Sequence, residues 1–184
     1  MGSLYAAQAY NNAWANHRLI TACRQLPADQ LSQDRQGFFG SIIATLNHIL
    51  IVDWFYVSAL EGRCMGQSAF VDEIPHPGIA ELALQQRQID ERFIRLCEAP
   101  TAELEGRKIE LLRRGSIQIE RFDRTFLHLI QHQIHHRGQV HGMLSSTDVP
   151  PPQLDEFYMA WDADRQLRAP DFSKLGFFED KIWG

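Results

Sequence analysis

Cysteine is scarce in this chain, and basic runs are missing. Cys23, Cys64 and Cys97 stand far apart and are odd in number, which argues against both a CxxC metal site and a disulfide framework. Their ordinary employment is as small buried or half-buried residues, and such usage fits a reducing cytosol. No basic stretch interleaved with aromatics occurs, and the formal net charge is −5, so nucleic acid is not an expected partner. No basic N-terminal region leads into an apolar core, so no secretory signal is visible and the expected location is cytoplasmic. Internal repeats, a glycine-rich phosphate loop and a Ser-His-Asp order are also missing.

Long apolar runs are limited to one. Ile42 to Leu60 approaches the length of a membrane span, but it carries Asn47, His48 and Asp53 near its middle. A central Asp costs roughly 3 kcal/mol on insertion scales. A helix buried inside a soluble bundle explains the run without that penalty, and no membrane partner is expected.

What is present is helical patterning. A first helix is expected from about Ser3 to Arg24, with Ala6, Ala9, Tyr10, Ala13, His17 and Ile20 on one face, and Pro27 ends it. The stretch from Pro27 to Gly37 reads as a polar loop. A second helix is expected from about Phe38 to Glu61, apolar on almost all sides and therefore the most buried, with Gly62 placed to stop it. A third runs from about Gly78 to Glu98 with the stripe Ile79, Leu82, Ala83, Ile89, Phe93 and Leu96; Gln85-Gln86 reads as its solvated face. Residues 101–119 alternate around Arg113-Arg114-Gly115-Ser116, as a small β-hairpin or irregular cover would. A fourth long helix runs from about Glu120 to Ser146 before Pro150-Pro151-Pro152 forbids continuation. Leu154, Phe157, Tyr158 and Trp161 then fit a short amphipathic helix, and the aromatic tail with Phe172, Phe177, Phe178 and Trp183 should pack on the bundle or a partner chain. The fold class is all-α, a four-helix bundle over residues 1–149 with a short helical extension over 150–184.

Five of the eight histidines, His128, His132, His135, His136 and His141, fall in the fourth helix. Imidazoles at i and i+4 lie one turn apart and can share a metal ion. His128/His132 and His132/His136 both qualify. Leu129, Val140 and Met143 mark the inward stripe. His136 lies about 40° to one side of His132 and His128 about 40° to the other, so the pair most consistent with a core-facing site is His132/His136, though geometry alone leaves His128 open. His48, among Ala44, Ile51, Val52 and Phe55 on the second helix, faces the core too. Three imidazoles in a core each need a polar partner, and a shared metal would serve all three. His17 is a reserve ligand on an inward face, better read as structural, and His76, between two prolines, reads as exposed.

Three stretches in order carry a resemblance. They are Tyr10-Asn11-Asn12-Ala13-Trp14-Ala15-Asn16, then Ser41 to Leu46-Asn47-His48, then His132-Gln133-Ile134-His135-His136-Arg137-Gly138-Gln139. They resemble the YNxWAN, S-x-x-x-x-LNH and HxxxHRGQ segments of the DinB/YfiT-like superfamily, often described as damage-inducible and distinct from the DNA polymerase of similar name. The resemblance implies a four-helix bundle, commonly a homodimer, and a site of three histidines mapping onto His48, His132 and His136. It implies one divalent metal ion per chain, zinc or nickel. It leaves His128, His135 and His141 outside the ligand set. Some members act as transferases or isomerases using low-molecular-weight thiols. The extension from Pro150 to Gly184 resembles a C-terminal PPxLDxF addition found in some of them.

Three neutral imidazoles leave a coordination position open, the pattern of a catalytic site, and the all-nitrogen set also suits copper or iron. Asp53 is a candidate partner to the ligands and Arg137 a candidate anchor for an anionic substrate group, against simpler readings as a packing hydrogen bond and a salt bridge. The leading functional expectation is a metal-dependent enzyme on small molecules, such as a thiol S-transferase. The alternative is a non-catalytic metal- or ligand-binding protein associated with stress. An aromatic surplus in the first two helices and the tail adds to the expectation of a homodimer.

Overall fold

The computed structural model describes residues 3–158 and 165–183. The elements run α1 (Leu4–Cys23), α2 (Ala28–Ser32), α3 (Ile42–Leu60), a 3-10 turn (Gly66–Phe70), α4 (Ile79–Cys97), α5 (Thr101–Leu104), β1 (Lys108–Arg113), β2 (Ser116–Arg121), α6 (Phe122–Leu144), α7 (Arg165–Leu175) and α8 (Glu179–Trp183). The long helices α1, α3, α4 and α6 pack as a four-helix bundle in which α1 lies against α4 and α6, and α3 against α4 and α6. Among the described residues the fold is helical apart from one hairpin.

Local chemistry sets the helix starts. Ser3 Oγ accepts the Ala6 amide at 3.1 Å, and Ser41 Oγ accepts that of Ala44 at 3.2 Å. Each cap satisfies one donor that the first turn leaves orphaned. The Ser41 cap puts the start of α3 at Ile42, four residues beyond the expected start at Phe38. Gly40, at φ +71°, turns the chain just before it, a conformation that suits glycine. Phe39 is thereby left outside the helix. The loop from Pro27 also contains the short α2, whose Leu31 is buried.

The apolar run of α3 is long enough to cross a membrane, but 83% of it is buried among the other helices. The hairpin forms where alternation indicated it. Lys108 pairs with Arg121 and Arg113 with Ser116, closed by Arg114 and Gly115, both at positive φ, as a two-residue hairpin turn requires. Ile109 and Leu111 of β1 are buried, whereas β2 is exposed throughout, Ile117 and Ile119 included.

The C-terminal segment differs from expectation in its helices. Leu154 to Tyr158 is not helical, and Trp161 lies outside the described residues. Phe157 is nonetheless fully buried, its ring 5.3 Å from that of Trp14 and 5.5 Å from that of Trp183. Arg18 holds the Gln153 carbonyl at 2.9 Å and Arg168 that of Phe157 at 2.7 Å. This cover explains why Trp14 and Ala15 are buried although they lie off the expected inner face of α1. Much of the aromatic surplus is spent inside the chain: Tyr10, Trp14, Phe55, Tyr56, Phe157 and Phe172 are all buried. Phe38 and Phe178 remain exposed.

Between the four helices lies a polar layer. Arg137, 4% exposed, donates to Asn12 Oδ1, to Asn16 Oδ1 at 2.9 Å and to Gln133 Oε1 at 3.2 Å. The Asn16 amide donates onward to Asp90 at 3.0 Å. Gln86 Nε2 donates to Asp53 Oδ2 at 2.6 Å and to Asp90 Oδ1 at 3.2 Å, and Gln133 Nε2 donates to Asp53 Oδ1. Gln86 is 2% exposed, so it is not on a solvated face as its sequence context suggested. Its neighbour Gln85 instead bonds Glu81 at the surface.

Two carboxyl groups lie in this layer within the field of one guanidinium. Burial pushes Asp53 up to about 7, against the donors Gln86 and Gln133 and the Arg137 charge, which act to lower it. Burial, then the nearby Asp53, raises Asp90 well above its ordinary value. A carboxyl raised in the folded state favours folding below its unfolded value of about 4 and loses that contribution as pH rises through its folded value. The expected outcome is that Asp53→Asn melts progressively higher relative to wild type as pH rises from about 4 to about 7. Calorimetric melting of both proteins across that window checks it; a difference independent of pH contradicts it.

Candidate metal centre

α3 and α6 bring three imidazoles together. His48, His132 and His136 each offer a ring nitrogen, and these three atoms lie within 4.8 Å of one another. His132 and His136 come from successive turns of α6, with ring centroids 4.3 Å apart. His48 enters from α3, with its Nε2 2.9 Å from His132 Nε2. His48 and His132 are half-buried and His136 is 8% exposed, so the cluster sits at the edge of the core with a path to solvent.

The electrostatics favour unprotonated rings. His48 is pushed down to about 4 by burial and then by His136. His132 is pushed down to about 3 by burial and then by His136 and His48. Burial lowers His136 as well, opposed by its bond to Gln139. Three neutral imidazoles at neutral pH present lone pairs to one small space, the state in which imidazole ligates a metal.

The tautomers support the same reading. His136 Nδ1 lies 2.9 Å from Gln139 Oε1. A carbonyl oxygen accepts, so Nδ1 carries the proton and Nε2 the lone pair. Gln139 is in turn fixed by its amide nitrogen, 3.1 Å from His135 Nε2. Such a partner on the far nitrogen orients a ligating ring. His48 Nε2 faces His132 Nε2, and His132 Nδ1 is buried without a hydrogen-bond partner. Two imidazole nitrogens facing at this distance need a proton or a cation between them, so the donor set fits a metal ion.

Phe39 closes one side of the cluster. Its ring stacks on His48 at 4.0 Å and tilts against His136 at 5.5 Å. Sequence reasoning missed this residue by assigning it to the helix. The signal that could have found it is Ser41 as N-cap, which excludes Phe39 from the helix and leaves it free to fold back.

The other candidates lie elsewhere. His128 is exposed beside Tyr56, with ring centroids 5.1 Å apart. His135 serves Gln139, and His141 Nε2 meets the Pro152 carbonyl at 3.1 Å. His17 stands on the opposite side of the bundle, 3.7 Å from Asp171. His76 is half-buried rather than exposed: its backbone amide and carbonyl each bond the Asn47 side chain at 2.9 Å. Asp53 does not touch the imidazoles; it reaches the cluster only through Gln133, the residue after His132. Arg137 is buried in the polar layer with Asn12 and Asn16, so its guanidinium is not presented to a substrate at the cluster.

Comparisons with known proteins agree with this architecture. Protein DinB of Bacillus subtilis strain 168 is 22% identical over 140 residues, covering 72% of this chain and 80% of that protein. The crystal structure of a DinB-like protein from Bacillus cereus ATCC 10987 superposes with a TM-score of 0.58 at 16% identity, covering 76% of this chain and 90% of that one, which shows a shared fold. The profile of the DinB family matches residues 3–169, nearly the whole bundle and its C-terminal cover, and the chain belongs to the DinB family.

Proposed function

We propose that the chain binds one divalent metal ion, zinc or nickel, through His48, His132 and His136, and uses it as an enzyme acting on small molecules, a low-molecular-weight thiol among them. The observation that carries this reading is the convergence of three unprotonated imidazoles without a carboxylate or thiolate in the set. Three ligands leave a position for an incoming group, unlike a closed structural site. A divalent ion bound there supplies Lewis acidity, which holds a thiol as its thiolate or acidifies water at neutral pH.

The chain's own residues do the rest. Gln139 keeps the proton of His136 on Nδ1 and its lone pair turned inward. Phe39 lies flat on His48, excluding water from one side and leaving the other for a substrate. The half-exposed His48 and His132 line that approach. Asp53, through Gln133, pins the turn of α6 that carries His132. A thiol S-transferase is the reaction class that best suits a site with a nucleophile-activating ion and no nucleophilic side chain of its own.

Replacing His48, His132 and His136 together by Ala is expected to abolish metal binding, whereas His128→Ala leaves it intact. Elemental analysis of the purified proteins checks this; unchanged metal content in the triple variant sinks the assignment. Gln139→Leu is expected to weaken metal affinity by about 10- to 100-fold with no loss of helix. Competition against a chelator of known affinity measures it, and wild-type affinity in the variant would show that Gln139 does not orient His136.

The ion is expected to serve reactivity more than folding. Its ligands come from two helices that already bury Ile42, Leu46, Ile49, Leu50 and Phe55 against their neighbours. A domain of this size needs no staple, in contrast to a zinc finger. Chelator-stripped protein should keep its circular dichroism and melt at a lower temperature by mass action. Loss of most helical signal on stripping, regained on adding metal, would make the site structural.

A further inference from the structure

A cavity of about 470 Å³ lies between α3, the 3-10 turn and the tip of the hairpin, a size within the range of small-molecule sites. The buried Phe55 and the more open Phe70 give it an aromatic wall, with ring centroids 5.3 Å apart. Leu112 closes another side. The 3-10 turn is pressed onto Leu112 so closely that a β-carbon on Gly66 would stand 2.7 Å from Leu112 Cδ2. The Leu112 amide also donates to Cys64 Sγ at 3.2 Å, which ties that segment to β1. The exposed Gln67, Arg113, Arg114 and Gln118 complete the lining. Phe55 follows His48 by two turns of α3, roughly 10.5 Å along its axis, and none of the three clustered histidines lines the cavity.

The charge of this cavity has one sign. Neither aspartate nor glutamate lines it; Glu120 lines the adjoining hollow, where Arg124 also stands. Among the described residues no ion pair joins Arg113 or Arg114 to a carboxylate. Arg113 is fixed at the cavity by the buried Tyr56, to whose hydroxyl it donates at 2.8 Å, and its guanidinium carbon lies 5.8 Å from the centre of the Phe55 ring. That bond uses one of the five N–H donors of the guanidinium. Arg114 stands at φ 51°, and among the described residues it is the one non-glycine residue in the left-handed region. A two-residue hairpin turn takes Asn, Asp or Gly at that position with less strain. The turn therefore does not call for an arginine, and strain held at one residue points to a use for its side chain. Both guanidiniums keep their charge at any physiological pH. They would repel an ammonium, a neutral hydrocarbon would leave them unpaired, and a bare inorganic anion would leave the aromatic wall uncovered.

We propose that this cavity binds a small aromatic anion, its carboxylate or phosphate head taken by Arg113 and Arg114 and its ring held against Phe55, Phe70 and Leu112. The site is separate from the metal centre and does not rest on the function proposed there.

The test is isothermal titration of the metal-loaded protein with phenylacetate, phenyl phosphate, 2-phenylethanol and acetate. At least one of the two aromatic anions should bind once per chain below millimolar concentration, and the tighter of them names the head group. 2-Phenylethanol, which lacks the charge, and acetate, which lacks the ring, should each bind about tenfold or more weakly. Arg114→Gly is the deciding variant. It removes one guanidinium and relieves the left-handed strain, so the protein should melt no lower than wild type and keep its metal, while the aromatic anion binds about tenfold more weakly. Arg114→Asn, which the turn also favours, should do the same. Carboxylates and phosphates also ligate metal ions, so binding unchanged in both Arg114 variants would place the anion elsewhere and overturn the proposal. Equal affinity for the aromatic anion and 2-phenylethanol, or no heat from either anion at millimolar concentration, would overturn it as well.

Discussion

Arg137 is buried with its charge in the middle of the bundle, and the architecture is arranged around that fact. An isolated guanidinium there would be untenable. It is accommodated because all four long helices contribute a partner to the same layer: Asn12 and Asn16 from α1, Asp53 from α3, Gln86 and Asp90 from α4, and Gln133 from α6 itself. Hydrogen bonds have narrow geometry, so this layer fixes the helices' relative height and rotation more tightly than apolar contacts alone. Removing one partner leaves the others buried and unpaired, which is strongly destabilising. The layer thus acts as a register device between helices that are otherwise held by interchangeable aliphatic packing.

The consequence for the metal centre follows from helical periodicity. Gln133 and Arg137 are one residue after His132 and His136, about 100° further around α6. Fixing the first pair in the core fixes the second pair on the face toward α3, at the height where His48 arrives. Asp53 does the same for α3, since it lies five residues after His48 and bonds Gln133. The three ligand nitrogens are held to a common point by residues that never touch them. Preorganisation of this kind is what a reactive metal site needs, because a ligand set free to relax would close around the ion.

Much of this was legible in the sequence, and the reason is periodicity. The four long helices follow from apolar stripes and breakers at Pro27, Gly62 and Pro100. The hairpin follows from alternation around Arg114-Gly115. His132 and His136 could be paired because i,i+4 spacing fixes a shared face, and His48 joined them because its own helix face is apolar, although choosing His136 over His128 rested on motif resemblance as well. The buried polar layer was illegible because a Gln or Asp flanked by polar neighbours looks solvated. Gln86 differs from Gln85 only by a rotation about the helix, and the partner that draws it inward, Asp53, is 33 residues away. Asp53 and Arg137 were singled out as polar residues of note, but their partners could not be named from spacing. The C-terminal cover was misjudged for a similar reason: Phe157 reaches Trp14 from an irregular segment, and irregular segments have no period to read.

The polar layer also sets the limits of each side of the molecule. On the α3–α6 side it ends in Gln133, whose amide is satisfied, so the imidazole cluster meets a completed network and its own valences remain free for a metal. On the α1–α4 side it ends in Gln86, whose buried oxygen has no hydrogen-bond partner, so the network is incomplete there. The difference arises from counting donors. Each carboxyl oxygen draws amide N–H groups toward it, and Gln86 gives both of its hydrogens to Asp53 and Asp90, leaving its carbonyl without a donor. One buried charge thereby produces two unlike surfaces. One is a rigid face on which three imidazoles converge, and the other is a buried acceptor that the core leaves unpaired.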